Sequence, residues 1–283
     1  MLEFALSTLA TPHHTLAEAV ALAEQAGYDA IDLRTFGFGS TRFACDPALT
    51  DEAKTRTLID ASGIDCSSLS TGVRLDEPIM PPVIGRALFD NERQIREGKL
   101  AVDLAAQIEA PVIRVFGFER HGNERLKQTA KRVAWRLGMV CDHARNTGVK
   151  VVLENGGAFP TAESIKELIA RVNSPLLGAC YNAAIGMASG DEPGAAIATL
   201  ADSLLLARVK DHREGIPVQL GDGELDPERF IAALAEGEVD IPVVFEWDAA
   251  WFDSIAPAEE VVGEALQLLC AWSGQTAPSR LSA

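Results

Sequence analysis

The stretch Lys150–Gly157, which reads K-V-V-L-E-N-G-G, decides the fold. A short apolar run leads directly into a glutamate, an asparagine and two glycines. Buried strands of parallel sheets read as continuous apolar runs, and the polar residues that follow such strands gather at one edge of the sheet. The stretch therefore predicts a buried parallel strand that ends in an active-site loop. It makes Glu154 the first candidate for a functional residue.

Apolar runs of the same kind alternate with amphipathic segments along the whole chain, which favours repeated strand–helix units. We predict eight strands, at Leu2–Ser7, Ala30–Leu33, Asp65–Leu69, Val112–Phe116, Lys150–Leu153, Leu176–Cys180, Leu204–Val209 and Val243–Phe245. Their spacing of roughly 25–45 residues suits such units, and eight of them close into a barrel. We therefore predict a single-domain (β/α)8 TIM barrel over residues 1–283, with a flexible tail from about residue 273 to the last residue.

Helix boundary signals support the same pattern. Thr15 and Glu18 form a capping box ahead of an apolar-rich helix, and Gly27 lies where that helix should end. The loop L-G-D-G-E-L-D, Leu220–Asp226, has spaced glycines, but its acidic residues would repel a phosphate. We interpret it as a turn into a helix that begins at Asp226 and the proline after it.

The composition and charge exclude several classes of protein. A formal net charge of −16 would repel nucleic acid and anionic membranes, and no run approaches the roughly 20 apolar residues of a membrane span. Five scattered cysteines without a C-x-x-C motif indicate neither a disulfide framework nor a zinc site. The motifs of serine hydrolases, zincins and dinucleotide-binding enzymes do not occur. We expect a cytoplasmic protein with no nucleic-acid or membrane partner.

Two glutamates occupy equivalent places at the ends of apolar strands. Glu154 follows V-V-L, and Glu246 follows P-V-V-F. At the carboxyl ends of barrel strands both side chains would point into a shared pocket. Burial would raise their pKa values unless a cation or a metal offset it, and two such carboxylates suit the removal and return of a proton. The alternative is that each forms a structural ion pair at the rim of the barrel.

The seventh predicted strand runs into a group of charged residues. Arg208, Lys210 and His212 alternate with other residues, so they would face the same way if the strand continues. We expect at least one of them to reach the pocket. The alternative is a solvated charged loop, which suits His212 better than Arg208, because Arg208 lies within the apolar run L-L-L-A-R-V.

Further polar residues at strand ends are candidates to bind a substrate. Arg114 lies in the fourth predicted strand, Asn182 follows the sixth, and His14 lies in the loop after the first. For His14 there is a simpler alternative, because a loop histidine beside a helix start is commonly solvated. Three residues at the ends of strands two and three are secondary candidates: Asp32, Arg34 and Ser70.

Five segments resemble, in order and spacing, those of a known family. They are V-V-L-E-N-G-G, L-G-A-C-Y-N, A-R-V-K-D, L-G-D-G-E-L-D and I-P-V-V-F-E-W-D. The set is similar to the xylose isomerase-like TIM barrels, also called the sugar phosphate isomerase/epimerase family, which is related to endonuclease IV. D-A-I-D-L-R and V-I-R-V-F-G extend the likeness over nearly the full chain. The resemblance implies an enzyme of small-molecule sugars, and it alone makes a homo-oligomer an expectation.

The resemblance also implies a metal site, from which this sequence departs. The family usually holds a divalent metal (Mn, Mg, Co or Zn) with four side chains. They are Glu on strand five, Asp on strand six, His or a polar substitute on strand seven, and Glu on strand eight. Those positions here read Glu154, Asn182, Arg208 and Glu246. If a metal bound, the two glutamates would be its ligands and Asn182 a third through its carbonyl oxygen. Arg208 cannot ligate a metal, because guanidinium stays protonated, and a further family histidine is replaced by Ile185.

The charge of the pocket suggests what replaces the metal. The formal charges of three carboxylates and one divalent cation sum to −1. The formal charges of Glu154, Glu246 and Arg208 also sum to −1. We therefore hypothesise that Arg208 takes the electrostatic place of the metal, paired with one or both glutamates. On this hypothesis no cofactor is favoured.

The leading functional prediction is an isomerase or epimerase that acts on a small sugar or keto acid. Glu154 and Glu246 would remove and return a proton next to a carbonyl, and Arg208 would stabilise the enediolate-like oxygen. Lys210, His212 and Arg114 would bind substrate oxygens or a carboxylate.

Two alternatives stay open. The same residues suit a dehydratase or lyase, because loss of hydroxide from the enolate needs only an added acid. The lost metal ligands also suit a non-catalytic carbohydrate-binding barrel. A nuclease is disfavoured, because it would need metal-binding histidines and a basic surface.

Overall fold

The computed structural model describes residues 1–37, 40–77 and 93–278 of the chain. Eight parallel strands form a closed barrel, in which each strand pairs with its neighbours along the chain and the last pairs with the first. They are β1 (Glu3–Ser7), β2 (Ala30–Arg34), β3 (Asp65–Arg74), β4 (Val112–Phe116), β5 (Lys150–Glu154), β6 (Leu177–Asn182), β7 (Leu204–Val209) and β10 (Pro242–Phe245). A two-stranded antiparallel hairpin, β8 (Asp211–Arg213) and β9 (Ile216–Val218), follows β7. The predicted (β/α)8 TIM barrel is confirmed.

Helices connect the barrel strands and surround them. In the described residues they are α1 (Leu16–Ala26), α2 (Glu52–Ser62), α3 (Arg93–Gln107), α4 (Leu126–His143), α5 (Ala162–Val172), α6 (Ala183–Ala188), α7 (Pro193–Leu200), α8 (Pro227–Glu236) and α9 (Ala258–Trp272). Short 3-10 turns lie at Thr8–Ala10, Pro47–Leu49, Ala201–Ser203 and Asp248–Ala250. Within these described segments, no helix combines the length and the apolar character needed to span a bilayer.

Alternation along each strand divides the side chains between two environments. One set packs against the helices and forms the main core. The other set points into the barrel, where small and aliphatic residues form an apolar floor: Ala5, Ala30, Val112, Val152, Cys180, Leu206 and Val244. Two residues further along the same strands, this inward set becomes polar. The floor therefore supports a polar layer at the carboxyl ends of the strands.

The predicted start of α1 agrees fully with the structure, and the predicted start of α8 agrees only in part. The capping box of Thr15 and Glu18 is present, and Gly27 ends α1 in the left-handed conformation, with φ of 89°. Pro227 opens α8 as predicted, but the side chain of Asp226 caps no backbone N–H. Its backbone is left-handed, with φ of 46°, whereas a capping residue normally has extended backbone.

The loop Leu220–Asp226 is held by one buried carboxylate. Asp211 accepts hydrogen bonds from the backbone N–H groups of Gly221, Gly223 and Leu225, at 3.0, 2.9 and 3.1 Å. A Cβ atom on Gly223 would lie 2.0 Å from Asp211 Oδ1, so the approach requires glycine there. The loop is a turn into α8, as predicted, and it anchors the chain that follows β7.

The predicted flexible tail is only partly covered. Residues 279–283 lie outside the described residues. In its first part, Gln275 exchanges two hydrogen bonds with the backbone of Leu2, at 2.9 and 3.0 Å, and these bonds tie the end of α9 to the start of β1.

Candidate active site

The polar layer above the apolar floor brings four acidic and four basic side chains together. All of them are half-buried or buried, and all lie at or just beyond the carboxyl ends of barrel strands. The acids are Asp32, Glu154, Glu246 and Asp248, and the bases are Arg34, Arg114, Arg208 and Lys210. Because polar groups at this end of a parallel barrel converge, the layer is the candidate active site.

Arg208 lies at the centre of the layer and is fully buried. Its Nη2 donates to Glu246 Oε1 at 2.5 Å and to Asp32 Oδ2 at 3.1 Å, and its Nη1 donates to Ser70 Oγ at 2.8 Å. Burial would lower the pKa of Arg208, but the two carboxylates raise it above its ordinary value. The guanidinium is therefore a fixed positive charge that links β7 to strands on either side of the barrel.

Glu246 is held ionised by two neighbouring cations. Burial would raise its pKa, but the charges of Arg208 and Lys210 hold that pKa well below its ordinary value of 4.5. Lys210 Nζ lies 3.6 Å from Glu246 Oε2. Glu246 therefore serves at rest as the anion between two cations.

Asp32 belongs to the charged cluster, although the sequence analysis treats it as a secondary candidate. It is fully buried and accepts hydrogen bonds from the hydroxyls of Ser7, Ser68 and Ser70, at 2.8, 2.6 and 2.5 Å. Burial would raise the pKa of Asp32, but Arg208 and the hydroxyls of Ser68 and Ser70 keep it below its ordinary value. The signal that finds Asp32 is alternation, because it shares the inward parity of Ala30 in D-A-I-D-L-R.

Only one carboxylate oxygen of Glu154 accepts a hydrogen bond from the described residues. Oε1 accepts a hydrogen bond from Asn182 Nδ2 at 3.0 Å. Arg114 Nε lies 3.3 Å from Oε2 as an ion pair, but its geometry is not that of a hydrogen bond. Among the described residues, Oε2 is thus a buried acceptor with no hydrogen-bond partner. A buried acceptor of this kind is available to a substrate or to a proton.

Asn182 is oriented by its neighbours with its amino group toward Glu154. Its side-chain carbonyl caps α6 by accepting from the backbone N–H of Ile185 at 3.4 Å. Asn155 fixes the backbone here, because its Oδ1 accepts from the N–H of Asn182 at 2.6 Å and its Nδ2 donates to the carbonyl of Asn182 at 3.1 Å. The carbonyl oxygen that a metal would need is therefore directed at a helix end.

The charged residues after β7 separate by parity, as predicted. Lys210 Nζ and His212 Nε2 both contact Asp248 Oδ2, at 2.9 and 3.1 Å. Burial would lower the pKa of Lys210, but Glu246 and Asp248 raise it. The alternating residue Asp211 instead holds the loop before α8. β7 ends at Val209, so the strand does not continue as that prediction required, but Arg208, Lys210 and His212 all contact acids of this layer.

The structure does not bring His14 to this cluster. His14 Nε2 lies 2.8 Å from Glu259 Oε1, at the start of the outer helix α9. Tyr181, which precedes Asn182, also points away, and its hydroxyl donates to Asp191 at 2.8 Å.

The residues present do not fit a divalent metal. At the positions where the family resemblance places four ligands, Arg208 supplies a cation and Asn182 supplies an amino group. Both glutamates already lie beside arginines, with Glu154 Oε2 at 3.3 Å from Arg114 Nε and Glu246 Oε1 at 2.5 Å from Arg208 Nη2. In the described part of the chain, no three His, Cys, Asp or Glu side chains are grouped so that they could hold a metal ion. The donor chemistry is that of an ion-pair network.

Comparison with known proteins agrees with the barrel and with the motif order. Residues 20–272 match the profile of the xylose isomerase-like TIM barrel family. The chain belongs to this family. The resemblance inferred from the ordered motifs is thus confirmed. No curated protein matches the sequence significantly.

Several solved structures share the fold at low sequence identity. An L-ribulose 3-epimerase superimposes with a TM-score of 0.79 at 18% identity, over 97% of this chain and 95% of that one. The probable 3-DHS dehydratase AsbF from Bacillus anthracis gives 0.75 at 18%, over 95% and 98%. The IOLI protein, in whose structure a zinc atom is bound, gives 0.77 at 17%, over 96% and 98%. The scaffold thus occurs in sugar epimerases and in a probable dehydratase.

The network makes a prediction about stability. Arg208→Met should lower the free energy of unfolding by about 3–5 kcal/mol at pH 7, because it leaves Asp32 and Glu246 buried without their cation. The control Arg229→Met removes an exposed arginine that lies 3.0 Å from Glu192, and it should cost less than about 1 kcal/mol. Urea denaturation of the three proteins measures both differences.

The difference in unfolding free energy between the wild type and Arg208→Met should also depend on pH. In the wild type, the low pKa of Glu246 contributes stability above its ordinary value of 4.5, and this contribution is lost as the pH falls through the lowered pKa. In Arg208→Met the unpaired carboxylates take up protons more readily, so the difference from wild type should narrow as the pH falls below 4.5. A constant difference from pH 7 to pH 3 would contradict the ion-pair account.

Proposed function

We propose that this protein is an isomerase or epimerase that moves a proton next to a carbonyl group of a small sugar or keto acid. The observation that carries the proposal is that Oε2 of Glu154, buried beside cations at the mouth of the barrel, accepts no hydrogen bond from the described residues. A carboxylate held in place by Asn182 and Arg114, with one oxygen unoccupied, suits a general base. The epimerases of similar fold support a reaction of this class.

The other charged residues have separate roles in this proposal. Arg208 and Lys210 stabilise the negative charge that develops on the carbonyl oxygen once Glu154 has taken the proton. Glu246 is ionised at rest, so it orients these two cations. The returning proton comes from the Lys210–Glu246 pair, whose atoms lie 3.6 Å apart. Proton removal and proton return thus use different strands of the barrel.

A dehydratase is the second candidate, and one observation favours it. His212 and Lys210 both contact Asp248, and a protonated histidine beside a carboxylate can supply the acid that a leaving hydroxide needs. The probable dehydratase of similar fold supports this reading. Mass spectrometry of the product separates the two reactions, because elimination removes one water and isomerisation leaves the mass unchanged.

The remaining expectations concern the setting of the reaction. The substrate is a small molecule, because the charged layer lies inside a single barrel. All five cysteines are among the described residues and carry free thiols, which supports a reducing compartment such as the cytoplasm. A homo-oligomer stays a prediction from the family.

Substitution of the proposed base tests the catalytic role. Glu154→Gln keeps the shape and the hydrogen bond from Asn182 but removes the base, so kcat should fall by about 10²–10⁴-fold while substrate affinity changes little. The control Glu167→Gln alters an exposed glutamate of α5 and should keep the wild-type kcat. The measurement is turnover of a panel of ketoses and keto acids, together with proton exchange from deuterated water. A wild-type protein that binds a sugar and catalyses neither reaction would instead be a binding protein.

We further propose that the reaction needs no divalent metal, because Arg208 supplies the positive charge. Protein that is purified without chelator and then dialysed against EDTA should keep its turnover, and adding Mn²⁺, Mg²⁺, Co²⁺ or Zn²⁺ should not raise it. Elemental analysis of the same preparation should find these metals well below one ion per chain. Loss of turnover on chelation that one of these metals restores would overturn metal independence.

A further inference from the structure

One cation of the active-site layer has no acidic partner. Arg34, at the end of β2, is 6% exposed, and its Nη1 donates to the backbone carbonyl of Thr71. Its Nε has no hydrogen-bond partner among the described residues, and no carboxylate oxygen there lies within 4.0 Å of its guanidinium. The other three cations of the layer, by contrast, each have one. A buried charge without a partner is costly to keep.

Arg34 lies next to a second arginine with a spare donor. The guanidinium carbons of Arg34 and Arg114 lie 6.0 and 4.0 Å from the centre of the same Phe116 ring. The guanidinium carbon of Arg34 also lies 4.5 Å from the centre of the Phe36 ring. Arg114 Nε also makes no hydrogen bond to the described residues. Two buried N–H groups, one from each arginine, therefore make no hydrogen bond to the described residues, although Arg114 Nε also faces Glu154 Oε2 as an ion pair.

The local electrostatics show a shortage of negative charge around Arg34. Burial, together with the positive charges of Arg114 and Arg208, lowers the pKa of Arg34 to about 9. The side chain is still a cation at neutral pH. An anion beside it would relieve both the repulsion and the cost of burial.

We propose that Arg34 and Arg114 bind a carboxylate group of the substrate, which makes the substrate a sugar acid or a keto acid rather than a neutral sugar. A carboxylate has two oxygens in one plane, which match two guanidinium donors. A phosphate would bring a second negative charge close to Asp32 and Glu154, both of which already act on Arg34. The carboxylate is therefore favoured over the phosphate.

The position of Arg114 connects this carboxylate to the chemistry. Arg114 Nε lies 3.3 Å from Glu154 Oε2, so a carboxylate on the two arginines has the proposed base beside it. The inference rests on the proposed function for the role of Glu154, and Arg34 becomes a residue that selects the substrate.

The first test compares charged and neutral ligands on the wild-type protein. Isothermal titration calorimetry with D-gluconate and D-glucitol, and with pyruvate and hydroxyacetone, compares molecules that differ by a carboxylate in place of a primary alcohol. Inorganic phosphate is the third kind of probe. In at least one pair the acid should bind roughly 10- to 100-fold more tightly, as charge-assisted hydrogen bonds predict. Equal affinities within both pairs, no binding of either acid, or tighter binding of phosphate would overturn the inference.

The second test assigns the effect to Arg34. Arg34→Gln should remove the preference for the acid, and Arg34→Lys should keep part of it. The control Arg213→Gln removes an exposed arginine beyond β7, whose Nη2 donates to the carbonyl of Asp222, and it should keep the whole preference. Thermal melting checks the fold of each variant, and Arg34→Gln should melt no lower than wild type without ligand, because an unpaired buried charge is gone.

The outcomes separate this inference from the proposed function. A preference for acids that survives in Arg34→Gln would show that Arg34 does not select the substrate, and a fold that collapses in Arg34→Gln would show that Arg34 is structural. Because binding is measured without turnover, the result holds even if Glu154→Gln retains activity and the proposed base is wrong. A preference for neutral sugars with normal loss of turnover in Glu154→Gln would contradict the carboxylate site alone.

Discussion

The buried guanidinium of Arg208 is the interaction on which the candidate site depends. It joins Asp32 of β2, Ser70 of β3 and Glu246 after β10 through hydrogen bonds of 2.5–3.1 Å. Carboxylates can stay ionised at this depth only beside a positive charge. Because Arg208 supplies that charge, Glu246 can hold Lys210 in turn, and the layer remains ionised above an apolar floor.

On the proposal that Arg208 takes the place of a metal, this arrangement explains how two of the ligands expected from the family resemblance can be replaced. A metal ion is bound reversibly, whereas the guanidinium of Arg208 is a permanent part of β7. Groups that are fixed in this way need little reorganisation when charge develops in a reaction. The pocket charge of −1 expected from the sequence counted only three groups. With the four acids and four bases that the structure brings together, the formal sum is zero, because Arg34, Arg114 and Lys210 offset Asp32 and Asp248 as well.

The barrel and much of the site could be predicted from local rules. Apolar runs located all eight strands, and only β3 differs by several residues, since it continues to Arg74 and pairs there with Phe116. The position after an apolar strand identified Glu154 and Glu246, and parity grouped Arg208 with Lys210 and His212.

The pairing of charges could not be predicted in the same way. Which acid meets Arg208 depends on distances across the closed barrel, and the sequence gives no measure of these. Asp32 lies on β2, five strands before β7 along the chain, and it therefore ranked too low. His14 was a candidate because of its loop, but its partner Glu259 comes from the far end of the chain. Alternation along β2 would have ranked Asp32 and Arg34 higher.

A crystal structure of the protein soaked in Mn²⁺ or Zn²⁺, with anomalous diffraction data, tests the central claim most directly. The account predicts electron density for the Arg208 guanidinium within hydrogen-bond distance of Asp32 and Glu246, and no anomalous peak between Glu154 and Glu246. An anomalous peak within about 2.0–2.3 Å of oxygens from both glutamates, with Arg208 turned away, would contradict it.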